Sequence, residues 1–201
     1  MTLKTSPYDL LTREELIQLL EVRDNEPDRS KVRTPFETPT IKRIISEVLV
    51  ILFNEEKDPI EKAMRVLLNY FNADWGYVAI FEEDGQTANF ICEAMSEWVK
   101  VPKDDQSKLT YDTIPWIIET VRSGHDIVLG DIAMLPSEAA TDKALLTEQQ
   151  LKSMLIIPLT FHNKVQGFIG FDSVRAHRFW TIAEVEDMHL TASIFSIIIE
   201  R

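Results

Sequence analysis

Apolar residues recur along this chain with two periods, and where the period changes the elements change. Residues 12–23 carry Leu16, Leu19 and Leu20 on one helical edge, opened by Thr12 and Glu15 as a reciprocal cap. Residues 24–40 are polar, hold three prolines and show no period, as a linker does. From 41 to 54 the helical spacing returns on two faces, Ile41, Ile44, Val48 and Ile51 on one and Ile45, Leu49 and Leu52 on the next. A helix apolar on two faces needs a partner on each. Asp58 and Pro59 start another helix, with Glu61 in its first turn and Ile60, Met64, Leu67 and Phe71 as its single stripe.

The period then falls to two. Residues 75–81 place Trp75, Tyr77, Ala79 and Phe81 on one side of a strand and Gly76, Val78 and Ile80 on the other. Glu83-Asp84-Gly85 turns the chain into a second strand over 87–95, and residues 97–111 are irregular. A helix starting near Asp112 turns Trp116, Ile117 and Val121 inward and ends at Gly124. A short strand over 126–129 and one or two helical pieces over 137–152 follow. Residues 153–161 and 165–171 flank a turn at Asn163 and predict a second hairpin. The last helix opens on Thr181 with Glu184 three residues on, and no Gly or Pro stops it before Arg201.

The order α-α-β-β-α-β-α-β-β-α, with hairpins at both ends, predicts an α+β domain around a mostly antiparallel sheet. Residues 41–201 are expected to form that domain and residues 1–40 an appendage of helix and linker. The unstopped final helix suggests a module that passes a signal to whatever follows it.

Composition narrows the functions. A formal charge of −12, with no cluster of Lys and Arg, argues against nucleic acid as partner. The longest apolar run, residues 48–53, is far short of a bilayer span, and the N-terminus has no signal-peptide pattern, so a cytoplasmic chain without a membrane segment is expected. A lone cysteine, Cys92, fits a reducing compartment and a small hydrophobe in mid-strand. His125, His162, His177 and His189 lack ligand-like spacing, so no metal is expected. With six glycines and no phosphate-cradling array, no cofactor is evident, and the chain is expected not to be an enzyme.

Residues 122–128 (RSGHDIV), Asp131 and Leu135-Pro136, residues 152–159 (KSMLIIPL), residues 167–173 (GFIGFDS) and the Arg178-x-Trp180 step together resemble GAF domains, of the type found in bacterial sensor histidine kinases and related two-component signalling proteins. The resemblance spans residues 41–201. It implies a six-stranded antiparallel sheet with helices on one face and a loop- or helix-covered small-molecule pocket on the other. Trp75, Tyr77 and Phe81 supply large aromatic walls for such a pocket. On the resemblance, Leu155, Ile157 and Phe171 line the same side; the ligand itself stays unknown. Asn163-Lys164 with Phe168 and Asp172 superficially matches cyclic-nucleotide relatives, but it falls in the hairpin turn and Ser173 replaces the expected Glu.

Val185, Met188, Ala192, Phe195 and Ile199 follow a heptad seam, which predicts a parallel homodimer through the last helix, relaying to a downstream effector, a kinase by analogy. The competing expectation is a structural dimerisation module with a filled pocket.

Overall fold

A computed structural model describes residues 41–53, 57–99 and 108–200. The helix expected over 12–23, the linker after it and residues 100–107 of the irregular stretch lie outside the described residues. Thr40–Arg201 form one compact unit. Its elements are α1 (Ile41–Phe53), α2 (Pro59–Tyr70), β1 (Trp75–Phe81), β2 (Thr87–Met95), β3 (Lys108–Thr110), α3 (Pro115–Arg122), β4 (Ile127–Leu129), α4 (Ala140–Glu148), β5 (Ser153–Phe161), β6 (Lys164–Ser173) and α5 (Ile182–Ile199). Two 3-10 turns, Ile132–Met134 and Ser137–Ala139, precede α4.

The six strands form one antiparallel sheet in the order β3-β2-β1-β6-β5-β4. The short edge strand β3 is the one the hydrophobic pattern does not announce. The β5–β6 hairpin turns on His162 and Asn163, with φ of 47° and 62°. Two consecutive left-handed residues give the turn whose twist matches paired strands.

The central strands are buried on both faces, and each face has its own core. On one side α1, α2 and α5 pack Val48, Met64, Leu67, Met188 and Phe195 against Val78, Ile169 and Phe171. On the other, α3, α4 and the 3-10 turns pack Ile117, Ile118, Val121 and Leu146 against Trp75, Tyr77, Met154, Ile156 and Phe168. Gly76 sets the spacing of the first core, since a Cβ there would lie 2.7 Å from the Phe171 ring and 3.0 Å from Met64 Sδ.

Two expectations are corrected by this layering. Leu155, Ile157 and Phe171 do share a face, but it belongs to the core formed with α1, α2 and α5, opposite Trp75 and Tyr77. The reason is register: Phe171 sits between Gly76 and Leu155, and directly opposed residues of antiparallel strands point to the same side. The seam of Val185, Met188, Ala192 and Phe195, with Ile199 packed beside it, likewise closes over the sheet inside one chain rather than facing a partner. A helix with apolar residues on more than one face does not reveal from spacing alone which stripe is the buried one.

Polar ties fix the ends of the elements. Thr181 and Glu184 form the expected capping box, Glu184 N donating to Thr181 Oγ1 at 3.2 Å and Thr181 N donating to Glu184 Oε2 at 2.8 Å. Arg178 lies over the Trp180 ring at 4.1 Å and donates to Glu184 and to the carbonyls of Phe71 and Asn72. It thereby joins the start of α5 to the end of α2. Asp58 does not cap α2: it precedes a proline, takes φ 55° and makes no side-chain cap bond. Asp142, fully buried in α4, instead accepts from Trp116 N at 3.2 Å and Ile117 N at 2.9 Å, capping α3 from a distant stretch of chain.

Asp74, also without exposure, accepts from Val174 N at 2.9 Å, Arg175 N at 3.1 Å, Ser173 Oγ at 3.2 Å and Arg175 Nε. Burial alone would raise this carboxyl, but the two backbone donors and Arg175 together hold it below the usual Asp value. A depressed folded-state pKa contributes stability that is present above the unfolded value and lost as pH falls through the folded one. Denaturant unfolding should therefore show a loss of stability on acidification below the ordinary aspartate range that is absent from Asp74→Ala, and the variant should be less stable at neutral pH by about 2–3 kcal/mol.

Candidate functional site

The face of the sheet carrying Trp75 and Tyr77 concentrates the aromatic residues of the domain. Trp75 and Tyr77 meet edge-on at 5.5 Å, Phe90 of β2 stands 5.4 Å from Tyr77 and 6.2 Å from Trp75, and Phe168 of β6 stands 6.3 Å from Tyr77. Phe81 extends the row, 5.8 Å from Phe168. A bulge in β2 opposite Val78 and Ala79 makes this possible: it leaves Ile91 out of the pairing, so that Phe90 and Cys92 turn to opposite faces. The Tyr77 ring lies across Gly170, where any Cβ would come within 2.5 Å of its outer atoms.

Two carboxyl groups share this face. Asp172 is opposite Trp75 in the β1–β6 register and Glu93 is opposite Tyr77 in the β1–β2 register. Asp172 is 2% exposed and accepts a long hydrogen bond of 3.4 Å from Tyr77 Oη. Burial pushes the Asp172 carboxyl well above the usual aspartate value, against the Tyr77 bond, which pulls the other way. Burial likewise pushes the Tyr77 hydroxyl up, helped by the nearby charges of Asp172 and Glu93, and it raises the Glu93 carboxyl. Among the described residues no Lys or Arg pairs with either carboxyl.

Of the sequence-based set, Trp75, Tyr77 and Phe81 lie on this aromatic face, and Leu155, Ile157 and Phe171 lie on the opposite one. Phe90, Glu93, Met154, Ile156, Phe168 and Asp172 share the aromatic face. Alternation groups Met154 with Ile156 along β5 and Phe168 with Asp172 along β6, whereas Phe90 and Glu93 share a face only through the β2 bulge, which alternation does not announce. What sequence alone does not supply is the register joining β6 to β1, and the β5–β6 pairing also shifts after Leu159.

Cys92 faces the opposite core, and burial, with the charges of Glu61 and Glu93, raises its thiol to about 12. Such a thiol is an inert hydrophobe. An open cleft of about 440 Å³ lies elsewhere, beside the C-terminal half of α2 and the end of β2, lined by Arg65, Asn69, Asn72, Ser96, Trp98 and Arg175 among others; none of the expected site residues borders it.

The outer surfaces of α1 and α5 form a second feature. Val50, Phe53, Ile182, Leu190 and Ile197 are all exposed large apolar side chains. On α5 they alternate with the seam buried against the sheet. Tyr70 Oη donates to Asp187 Oδ2 at 2.7 Å and His189 Nε2 lies 2.8 Å from Asp126 Oδ2, so α5 is tied both to α2 and to the link between α3 and β4. No helix among the described residues is long and apolar enough to cross a membrane.

This architecture has known counterparts. A phycocyanobilin-bound GAF domain from a cyanobacterial phytochrome superposes with a TM-score of 0.67 at 16% identity, covering 80% of this chain and 94% of that one. The GAF domain of a phosphoenolpyruvate-protein phosphotransferase from Coxiella burnetii superposes with a TM-score of 0.63 at 14% identity, covering 82% and 95%. Likeness at these identities concerns the fold alone. In sequence, the methanogenesis regulatory histidine kinase FilI of Methanothrix harundinacea (strain 6Ac) is 27% identical over 136 residues, which are 64% of this chain and only 15% of that protein. The GAF domain family model matches residues 57–199. The six-stranded sheet between two cores and the motifs along β4, β5 and β6 are those of that family, and the chain belongs to the GAF domains.

Proposed function

We propose that this GAF domain is a non-catalytic sensor module of a signal-transduction protein, a two-component histidine kinase being the parent that the similarity to FilI favours. A small molecule engages the aromatic face, and the response leaves through α5. One observation carries this reading: strands β5 and β6 are shared by both cores. Within β6, Phe168 belongs to the aromatic side while Ile169 and Phe171 belong to the core that holds α5. A ligand that parts the rings above Phe168 therefore moves the floor on which Met188 and Phe195 rest. A ligand shifts such an equilibrium only by its difference in affinity for the two arrangements.

Among the described residues, nothing on the aromatic face is arranged as a nucleophile with a base: burial raises both the Tyr77 hydroxyl and the Asp172 carboxyl, and Cys92 lies on the other side of the sheet. The second reading, a structural module with its pocket filled, draws on the rings themselves, which pack against one another with Trp75 and Tyr77 almost fully buried.

The output surface in this proposal is a parallel homodimer, and its contact is the exposed stripe of Ile182, Leu190 and Ile197 together with Val50 and Phe53 of α1. It replaces the seam that the sheet already occupies. Domain and effector follow the same scheme, with residues 41–201 as the sensor and a kinase or other effector receiving the signal.

Two measurements test these statements. With ¹⁵N-tryptophan labelling, a pool of small metabolites should contain a component that shifts the Trp75 indole resonance, and Gly170→Ala, which wedges a methyl into the Tyr77 ring, should abolish the shift; a pool that leaves Trp75 unmoved favours the structural module. In sedimentation at micromolar concentration the protein should be a dimer and Ile197→Glu a monomer of stability unchanged within about 0.5 kcal/mol. Phe195→Ala should instead destabilise each chain by about 3–5 kcal/mol. A wild-type monomer would contradict the dimer.

A further inference from the structure

Among the described residues the two carboxyls of the aromatic face find neutral partners rather than a cation, the Tyr77 hydroxyl for Asp172 and the nearby Trp75 indole for Glu93. Trp75, Tyr77 and Phe90 come together within 6.2 Å of one another, centre to centre, and Asp172 and Glu93 stand in register with Trp75 and Tyr77 respectively. Buried carboxylates are ordinarily met by a cation or by several hydrogen bonds. The contrast within this molecule is direct. Asp74 has Arg175 and two backbone donors, and Asp142 has two backbone donors, whereas Asp172 has one long bond from Tyr77. Among the described residues, the elements covering this face bring no cation to it: Arg122 of α3 lies over Gly85, and Lys143 of α4 donates to the Ala133 carbonyl.

We propose that the aromatic face binds a small organic ammonium ion, held against the rings of Trp75, Tyr77 and Phe90 and neutralised by Asp172 and Glu93. This rests on the reading of that face as the sensing site and names the chemistry of what it senses. Ring faces attract a positive charge through their quadrupole, most strongly when water is excluded, and Trp and Tyr do so better than Phe. Burial disfavours the charged form of these carboxyls and a neighbouring cation favours it, so the site discriminates by charge as well as by fit. The pairing of β2 with β3 covers only Thr87 to Asn89, and Phe90, the half-buried member of the cluster, stands at the first position beyond that pairing.

Choline and 3,3-dimethyl-1-butanol have nearly the same shape and differ in the charge, which makes them the probes of choice. At matched ionic strength, choline should shift the Trp75 indole resonance and raise the Tm of the intact chain, and the neutral alcohol should bind more weakly by roughly tenfold or more. Asp172→Asn should weaken choline by a similar factor without changing the response to the alcohol. If Asp172→Asn does not fold, Glu93→Gln should weaken choline in the same direction. An alcohol that binds as tightly as choline overturns the ammonium proposal but leaves the small-molecule site standing. Choline without effect on Trp75, or choline binding unchanged in both variants, also overturns it, and the sensing reading is then decided separately by the metabolite pool.

Discussion

The burial of β1 and β6 on both faces is the constraint from which the remaining features follow. A strand with two buried faces cannot shift by one residue without exchanging its two cores, so its register is held more firmly than that of a half-exposed strand. Here the register is held by close approach and by one carboxylate. Gly76 admits Phe171 and Met64 from one side, and Gly170 admits the Tyr77 ring from the other. Asp74 then closes the end of the β1–β6 pair by collecting Ser173, Val174 and Arg175. Because the chain runs from there through Arg178 and Trp180 into the capping box of α5, the same tie sets where that helix begins.

Much of this was legible in the sequence, and the boundary of legibility has a physical cause. Periods of 3.6 and 2, together with caps and turns, locate α1, α2, β1, β2, the β5–β6 hairpin and the Thr181 start of α5, because those signals are local. The GAF resemblance, carried by short motifs between residues 122 and 180, adds the family and the antiparallel sheet, and both hold. Strand β3 is too short to show a period. Asp58 looks like a cap because sequence shows a residue type and not a backbone angle, and Asp142 does not look like one because its helix lies 25 residues away.

The candidate site was half legible for the same reason. Trp75, Tyr77 and Phe81 follow from alternation within one strand. Placing Leu155, Ile157 and Phe171 with them needed the β1–β6 register, which is a long-range quantity, and they belong to the other core. The heptad reading of α5 failed on similar ground. Val185, Met188, Ala192 and Phe195 do form one continuous stripe, but the sheet is its partner, and the exposed stripe of Ile182, Leu190 and Ile197 carries the apolar surface left over. The aromatic face gains its character from residues drawn from three strands, so no linear motif contains it.

We propose that a disturbance on the aromatic face reaches α5 through β5 and β6, the strands shared by both cores. Amide hydrogen exchange tests it without any ligand, using Gly170→Ala to press on Tyr77 from within the sheet. The account predicts faster exchange in the part of α5 that rests on the sheet, around Met188 to Ser196, while α1, which packs mainly on α2, keeps its protection. Faster exchange confined to α3 and the covering turns, with α5 unchanged, would contradict it.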